Sequence, residues 1–235
     1  MRTSATIFGH GLAAAFILAA AAIAAPGPAT AAPEPGKPMD SMDSGAPATN
    51  LCGPIIAATE HTQGIPARLL TAISFAESGR RDDEGGEIIA WPWTINAEGE
   101  GRFFATKAAA IAAVKKLRAR GVTSIDVGCM QVNLHHHPDA FASLDDAFDP
   151  EHNVAYAAQF LKELKDDTRS WTTAIGYYHS TTRALNMPYR NKVYRLWADA
   201  RRQDAAKKRA EVIEAYLERR AAAEARRAAM KRDPS

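Results

Sequence analysis

The stretch Leu69-Leu70-Thr71-Ala72-Ile73-Ser74-Phe75-Ala76-Glu77-Ser78-Gly79 constrains this chain most. Pro66 suits the first turn of a helix, and Gly79 suits the position just past its end. Leu70, Ile73 and Glu77 then share one face, which is otherwise apolar. A carboxylate there is penalised twice when ionised, by burial and by the negative end of the helix dipole. Both effects keep a proton on the group near neutral pH, as a general acid requires. The competing reading turns Glu77 to solvent or pairs it with Arg80 or Arg81.

The 235 residues fit one folded domain with appendages. Residues 1–31 read as a secretory signal, with Arg2, an Ala-rich apolar run from Ile7 to Ala25, and Ala29-Thr30-Ala31 as an A-x-A cleavage site. An uncleaved anchor is the alternative, although the run is short for a membrane span. Residues 32–49, rich in Pro, Gly, Ser and Asp, read as a flexible leader. The folded domain is expected over residues 50–200, followed by a charged tail over 201–235. Export to the periplasm or cell envelope follows from the signal, and an oxidising compartment favours a Cys52–Cys129 disulfide over two buried thiols. A formal net charge of +2 gives no global field for nucleic acid.

Helices are expected at Pro54–Thr62, Pro66–Ser78, Thr106–Arg120, from Asp149-Pro150 onward, from Ser170-Trp171 towards Tyr178, and from Pro188 onward. Ile88–Asn96 and Gly101–Phe104 read as extended runs around a Glu98-Gly99-Glu100-Gly101 turn, and Val122–Val127 is β-prone. The domain is therefore mostly helical with a small β element, an α+β class.

Three further clusters accompany Glu77: Ser78 directly after it, the run Asp126-Val127-Gly128-Cys129-Met130-Gln131-Val132-Asn133, and Tyr177-Tyr178-His179-Ser180 at a helix end. At these residues the chain resembles the soluble-type (SLT) lytic transglycosylases, which share a lysozyme-like fold with goose-type lysozymes. That family shows Glu-Ser at a helix end, then Gly-Leu-Met-Gln, then Ala-Tyr-Asn. Here the order is Glu77-Ser78, Gly128-Cys129-Met130-Gln131 and Tyr177-Tyr178-His179. The resemblance covers roughly residues 52–197. Cys129 departs from the usual leucine and His179 from the usual asparagine; both amide and imidazole can donate and accept hydrogen bonds.

The resemblance implies cleavage of peptidoglycan glycan strands with Glu77 as acid and then base, and with the muramic acid 6-hydroxyl as nucleophile. It implies substrate contacts from Ser78, Met130, Gln131, Asn133, Tyr178 and His179. Trp91 and Trp93 are candidates for stacking on sugar faces, and equally for core packing. No cofactor or metal is expected: three adjacent histidines, His135-His136-His137, do not share a helical face, and no HExxH occurs. Asp126 is either a second carboxylate, as a muramidase would employ, or a structural acceptor. A non-catalytic wall-binding or assembly protein is the third reading. The Ala-, Arg- and Glu-rich tail is expected to be helical, either solvated or docked on an anionic envelope surface or a secretion-complex subunit.

Overall fold

A computed structural model describes residues 50–81 and 86–232, all within one compact unit. The expected signal and leader, and most of the polar loop after Arg81, lie outside the described residues. The chain runs α1 (Cys52–Gln63), α2 (Leu69–Ser78), β1 (Gly79–Arg81), β2 (Ile88–Ala90), β3 (Thr94–Ala97), β4 (Glu100–Phe103), α3 (Lys107–Ala119), β5 (Ile125–Val127), β6 (Val132–Asn133), α4 (Leu144–Ala147), α5 (Pro150–Thr168), α6 (Trp171–His179) and α7 (Arg183–Arg232). The fold is α+β and mostly helical, with small sheets and a long final helix.

Two apolar clusters make the core. One joins α1, α2, α5, α6 and the first half of α7 through Ile56, Leu70, Ile73, Leu161, Ile175 and Val193. The other lies where α3 covers the sheet, around Ile95, Val114, Leu117, Ile125 and Phe148. Four antiparallel strands form that sheet in the order β4-β3-β5-β6, and β1 pairs with β2 separately. Burial of Val154, Ala157, Ala158 and Leu161 along α5 matches the stripe its sequence carries.

Local signals explain most boundaries. Thr106, Asp149 and Ser170 each accept backbone N–H bonds at the start of α3, α5 and α6. Glu98 and Gly99 both take positive φ between paired Ala97 and Glu100, the geometry of a two-residue hairpin loop that follows the strand twist.

Three expectations are corrected. The glutamate helix starts at Leu69, not Pro66, because Arg68 adopts φ 68° and breaks the turn. Its N-terminus is capped from α1: the buried Glu60 carboxylate accepts from Arg68 N (2.7 Å), Thr71 N (2.8 Å) and Thr71 Oγ1 (3.1 Å). The extended run Ile88–Asn96 is two strands in different sheets, divided at Trp91-Pro92-Trp93, where Pro92 cannot donate to a ladder. Pro188 lies inside the last helix rather than opening it. The helix begins at Arg183, and the proline in its second turn forgoes one bond to the chain before it.

The disulfide Cys52–Cys129 is present, with both half-cystines fully buried. It fastens the start of α1 to the turn between β5 and β6.

Candidate active site

Between the sheet and helices α5 and α6 lies a cleft of about 610 Å³. Glu77 reaches it from the last turn of α2, Asn96 and Asp126 from β3 and β5, and Gln131 and Asn133 from the β5–β6 turn and β6. His136, His137, Tyr156 and Phe160 line it, together with Tyr177, Tyr178 and His179 at the end of α6.

Glu77 neither turns to solvent nor pairs with its neighbouring arginines. Arg80 lies over the Trp91 ring at 4.1 Å, and Arg81 donates to the Gly86 carbonyl. The Glu77 Oε1 atom instead accepts from the Tyr189 hydroxyl at 2.5 Å. Burial is the main influence on its protonation and raises its pKa from 4.5 to about 7. The Tyr189 hydrogen bond pulls the other way, the Asp126 charge adds to the rise, and Lys192 opposes it. Tyr189 comes from α7, is buried, and stacks on His179 with ring centroids 4.6 Å apart. Lys192, one turn on, donates to the Ala76 carbonyl at 2.7 Å and so serves the exposed C-terminal end of α2. Burial also lifts the Tyr189 phenol well above its ordinary range, so it remains a donor at neutral pH.

The Gly128–Gln131 turn is built around Asn153 of α5. Asn153 is fully buried; its Nδ2 donates to the carbonyls of Val127 and Ala147, each at 3.0 Å, and its Oδ1 accepts from Met130 N at 2.9 Å. Gly128 adopts φ 83°, and a Cβ there would lie 2.3 Å from Asn153 Nδ2, so only glycine fits. Gln131, at φ 50°, lines the cleft while its Nε2 donates to the carbonyls of Thr94 and Gly128.

Asn96, Asp126 and Asn133 are consecutive partners across three strands, so they form a polar row on one face of the sheet. Asn133 Nδ2 donates to Asp126 Oδ1 at 2.7 Å. Burial raises the Asp126 pKa, and the Asn133 bond and the neighbouring His136 and His179 hold it down.

Four of the sequence-derived contact residues face elsewhere. Ser78 is buried, and its hydroxyl donates to the Cys129 carbonyl at 2.6 Å, tying α2 to the turn. Met130 is fully buried in the helical core, and only its carbonyl serves the site, accepting from Tyr178 Oη at 2.8 Å. Trp91 is buried and donates to the Phe104 carbonyl. Trp93 meets it edge to face at 5.9 Å, and neither ring lines the cleft. Packing at the sheet junction accounts for both tryptophans. The residues brought together at the cleft are Glu77, Gln131, Asn133, Tyr178 and His179.

Sequence reasoning missed Tyr189, Asn153 and the wall formed by His136, His137, Tyr156 and Phe160. Tyr189 is 112 residues from Glu77. Its only local signal was its place beside Pro188 in an amphipathic run. Among the described residues, no group of histidine, cysteine and carboxylate side chains could hold a metal ion. His137 instead shares a 2.8 Å hydrogen bond with the Tyr156 hydroxyl.

Two carboxyls whose pKa values burial raises, Glu77 and Asp126, share this polar, aromatic-walled cleft, and paired carboxyl groups are the usual equipment of enzymes that cleave glycosidic bonds. Residues 54–195 match the family described as Transglycosylase SLT domain, well over half the chain, and the protein belongs to that family of lytic transglycosylases, enzymes of peptidoglycan. No curated protein and no solved structure gives a significant match.

Proposed function

We propose that the protein is an exported lytic transglycosylase. It would cleave the β-1,4 bond between N-acetylmuramic acid and N-acetylglucosamine and leave a 1,6-anhydromuramic acid end. The observation that carries this reading is Glu77, whose pKa burial lifts to about 7 at the cleft while Tyr189 holds its Oε1. Near neutral pH a large share of such carboxyls carries the proton that the first step needs, and the carboxylate that the second step needs is what the first leaves behind. Protonated Glu77 gives its proton to the glycosidic oxygen as the C1–O bond breaks. The resulting carboxylate then takes the proton of the muramic acid 6-hydroxyl as that oxygen bonds to C1. The proton count closes on one residue, and no water is consumed. A nucleophile already tethered to the reacting sugar enjoys a high effective concentration and outcompetes solvent.

Gln131, Asn133 and His179 line the cleft beside Glu77 and are suited to holding sugar amides and hydroxyls. Tyr178 acts through the Met130 carbonyl and fixes the turn that carries Gln131.

One observation favours a second reading. Asp126 shares the cleft, and its charge raises the Glu77 pKa. As a base activating water, it would make the enzyme a muramidase.

Glu77→Gln tests the shared core of both readings. The amide preserves the shape and can still accept from Tyr189, so the fold should survive. Turnover of purified sacculi should fall by about 10²–10⁴. A folded variant with undiminished turnover would remove Glu77 from the chemistry.

A further inference from the structure

The second half of α7 has no part in the cleft. Ala200 is its last buried side chain, and Lys207 makes an ion pair with Glu87 at 3.3 Å. From Ala205 to Ala229 every side chain is exposed. Within this stretch Val212, Ile213, Tyr216 and Leu217 are 67%, 59%, 58% and 55% exposed, a cluster of large apolar groups left in water.

The charges around this cluster are sorted. At 3.6 residues per turn, residues seven apart fall nearly on one line. Arg202 and Arg209 lie on the line of Tyr216, and Arg220 and Arg227 on the line of Ile213. The apolar face is therefore flanked by arginines at both ends. Asp204, Glu211, Glu214 and Glu218 fall on the opposite face. Glu224, seven residues after Leu217, is the one acid on the apolar side of this stretch; it pairs with Arg220 at 2.9 Å, and Arg202 pairs with Asp199, so Arg209 and Arg227 carry the unbalanced charge of the face.

This sorting decides between occupants. A second copy laid antiparallel across the patch sets Arg209 against Arg220 and Arg202 against Arg227. A parallel copy sets each arginine against itself. Either arrangement brings like charges together beside the apolar contact. A glycan polymer offers anions but little hydrocarbon for Val212, Ile213 and Leu217. A bilayer containing anionic lipids offers both: acyl chains under the apolar cluster, and phosphates level with arginines whose stems can snorkel.

We infer that the exposed half of α7 is an interfacial helix that lies on anionic lipid bilayers through Val212, Ile213, Tyr216 and Leu217 with Arg202, Arg209, Arg220 and Arg227. No described helix is long and apolar enough to cross a membrane, so the contact is peripheral and reversible. It is independent of the chemistry proposed for Glu77.

The test is flotation of the full mature chain with vesicles of phosphatidylcholine alone or mixed with phosphatidylglycerol. Binding should require phosphatidylglycerol and weaken with salt. Ile213→Ala with Leu217→Ala keeps helix propensity and charge but removes two of the four large apolar side chains of the patch. Arg209→Gln with Arg220→Gln removes charge alone. Each pair should weaken binding by about tenfold or more. Turnover of short soluble glycan strands by both variants should match the parent, which verifies the fold. Four results would overturn the inference: no binding to either vesicle; binding that the alanine pair leaves unchanged, which is charge attraction alone; concentration-dependent dimerisation through the patch; or patch-dependent retention on purified sacculi with none on vesicles.

Discussion

Glu77 and Tyr189 form the pair on which the proposed chemistry turns. The two largest influences on the acid are opposed: burial, which favours the protonated form, and the tyrosine hydroxyl, which favours the carboxylate. Tyr189→Phe removes only the second. The Glu77 pKa should then rise above about 7, by roughly one unit for a hydrogen bond to a charged group. The sign follows directly: the general acid must hold its proton, so the alkaline limb of kcat/KM should move to higher pH. A purely structural role for Tyr189 would lower the rate without moving that limb. The pH profile of glycan cleavage separates the two. Sequence alone exposed Glu77, because an acid on an apolar helical face is a local contradiction. Tyr189 and Asn153 left no comparable trace, since each acquires its partner only when distant segments pack. For Ser78 and Met130, proximity to the motif suggested contact with sugar. The backbone turns both side chains inward, and the carbonyls of Cys129 and Met130 become their means of shaping the site.

At the scale of elements, the site depends on how α2 is held at both ends. Glu60 from α1 satisfies its N-terminal amides, and Lys192 from α7 meets the Ala76 carbonyl near its C-terminal end. The sequence showed caps within an element, such as Thr106, Asp149 and Ser170, because those signals span a few residues. It could not show a cap supplied by another helix. The disulfide was readable as an even cysteine count in a chain whose first residues read as a secretory signal, and its place in the fold gives it a task. Cys52 opens α1, and Cys129 lies in the turn that presents Gln131. Replacing both cysteines by serine opens a loop with a sequence separation of 77. Stability should fall by roughly 4 kcal/mol in the chain-entropy view, read as a lower denaturant midpoint. An unchanged midpoint would mean that packing alone fixes the turn.

Across the whole molecule, chemistry and surface attachment are separable along α7. Its first half builds the core and supplies Tyr189; its second half is exposed. Truncation after Gln203 keeps Ala200 and everything before it. Turnover of short soluble strands should therefore remain within about twofold of the parent, as for surface changes remote from a site. A collapse of that turnover in a folded variant would make the tail part of the site. The α+β class was legible as a whole, because helix periodicity and turn residues repeat along the chain. The two-sheet arrangement was not, since Trp91-Pro92-Trp93 interrupts an apolar run that reads continuously.

The reaction product tests the central claim most directly. Purified sacculi digested by the protein should release muropeptides ending in 1,6-anhydromuramic acid, with no new reducing ends, because the 6-hydroxyl takes the place of water. Products heavier by one water and carrying new reducing ends would contradict that account and assign Asp126 the activation of a solvent nucleophile.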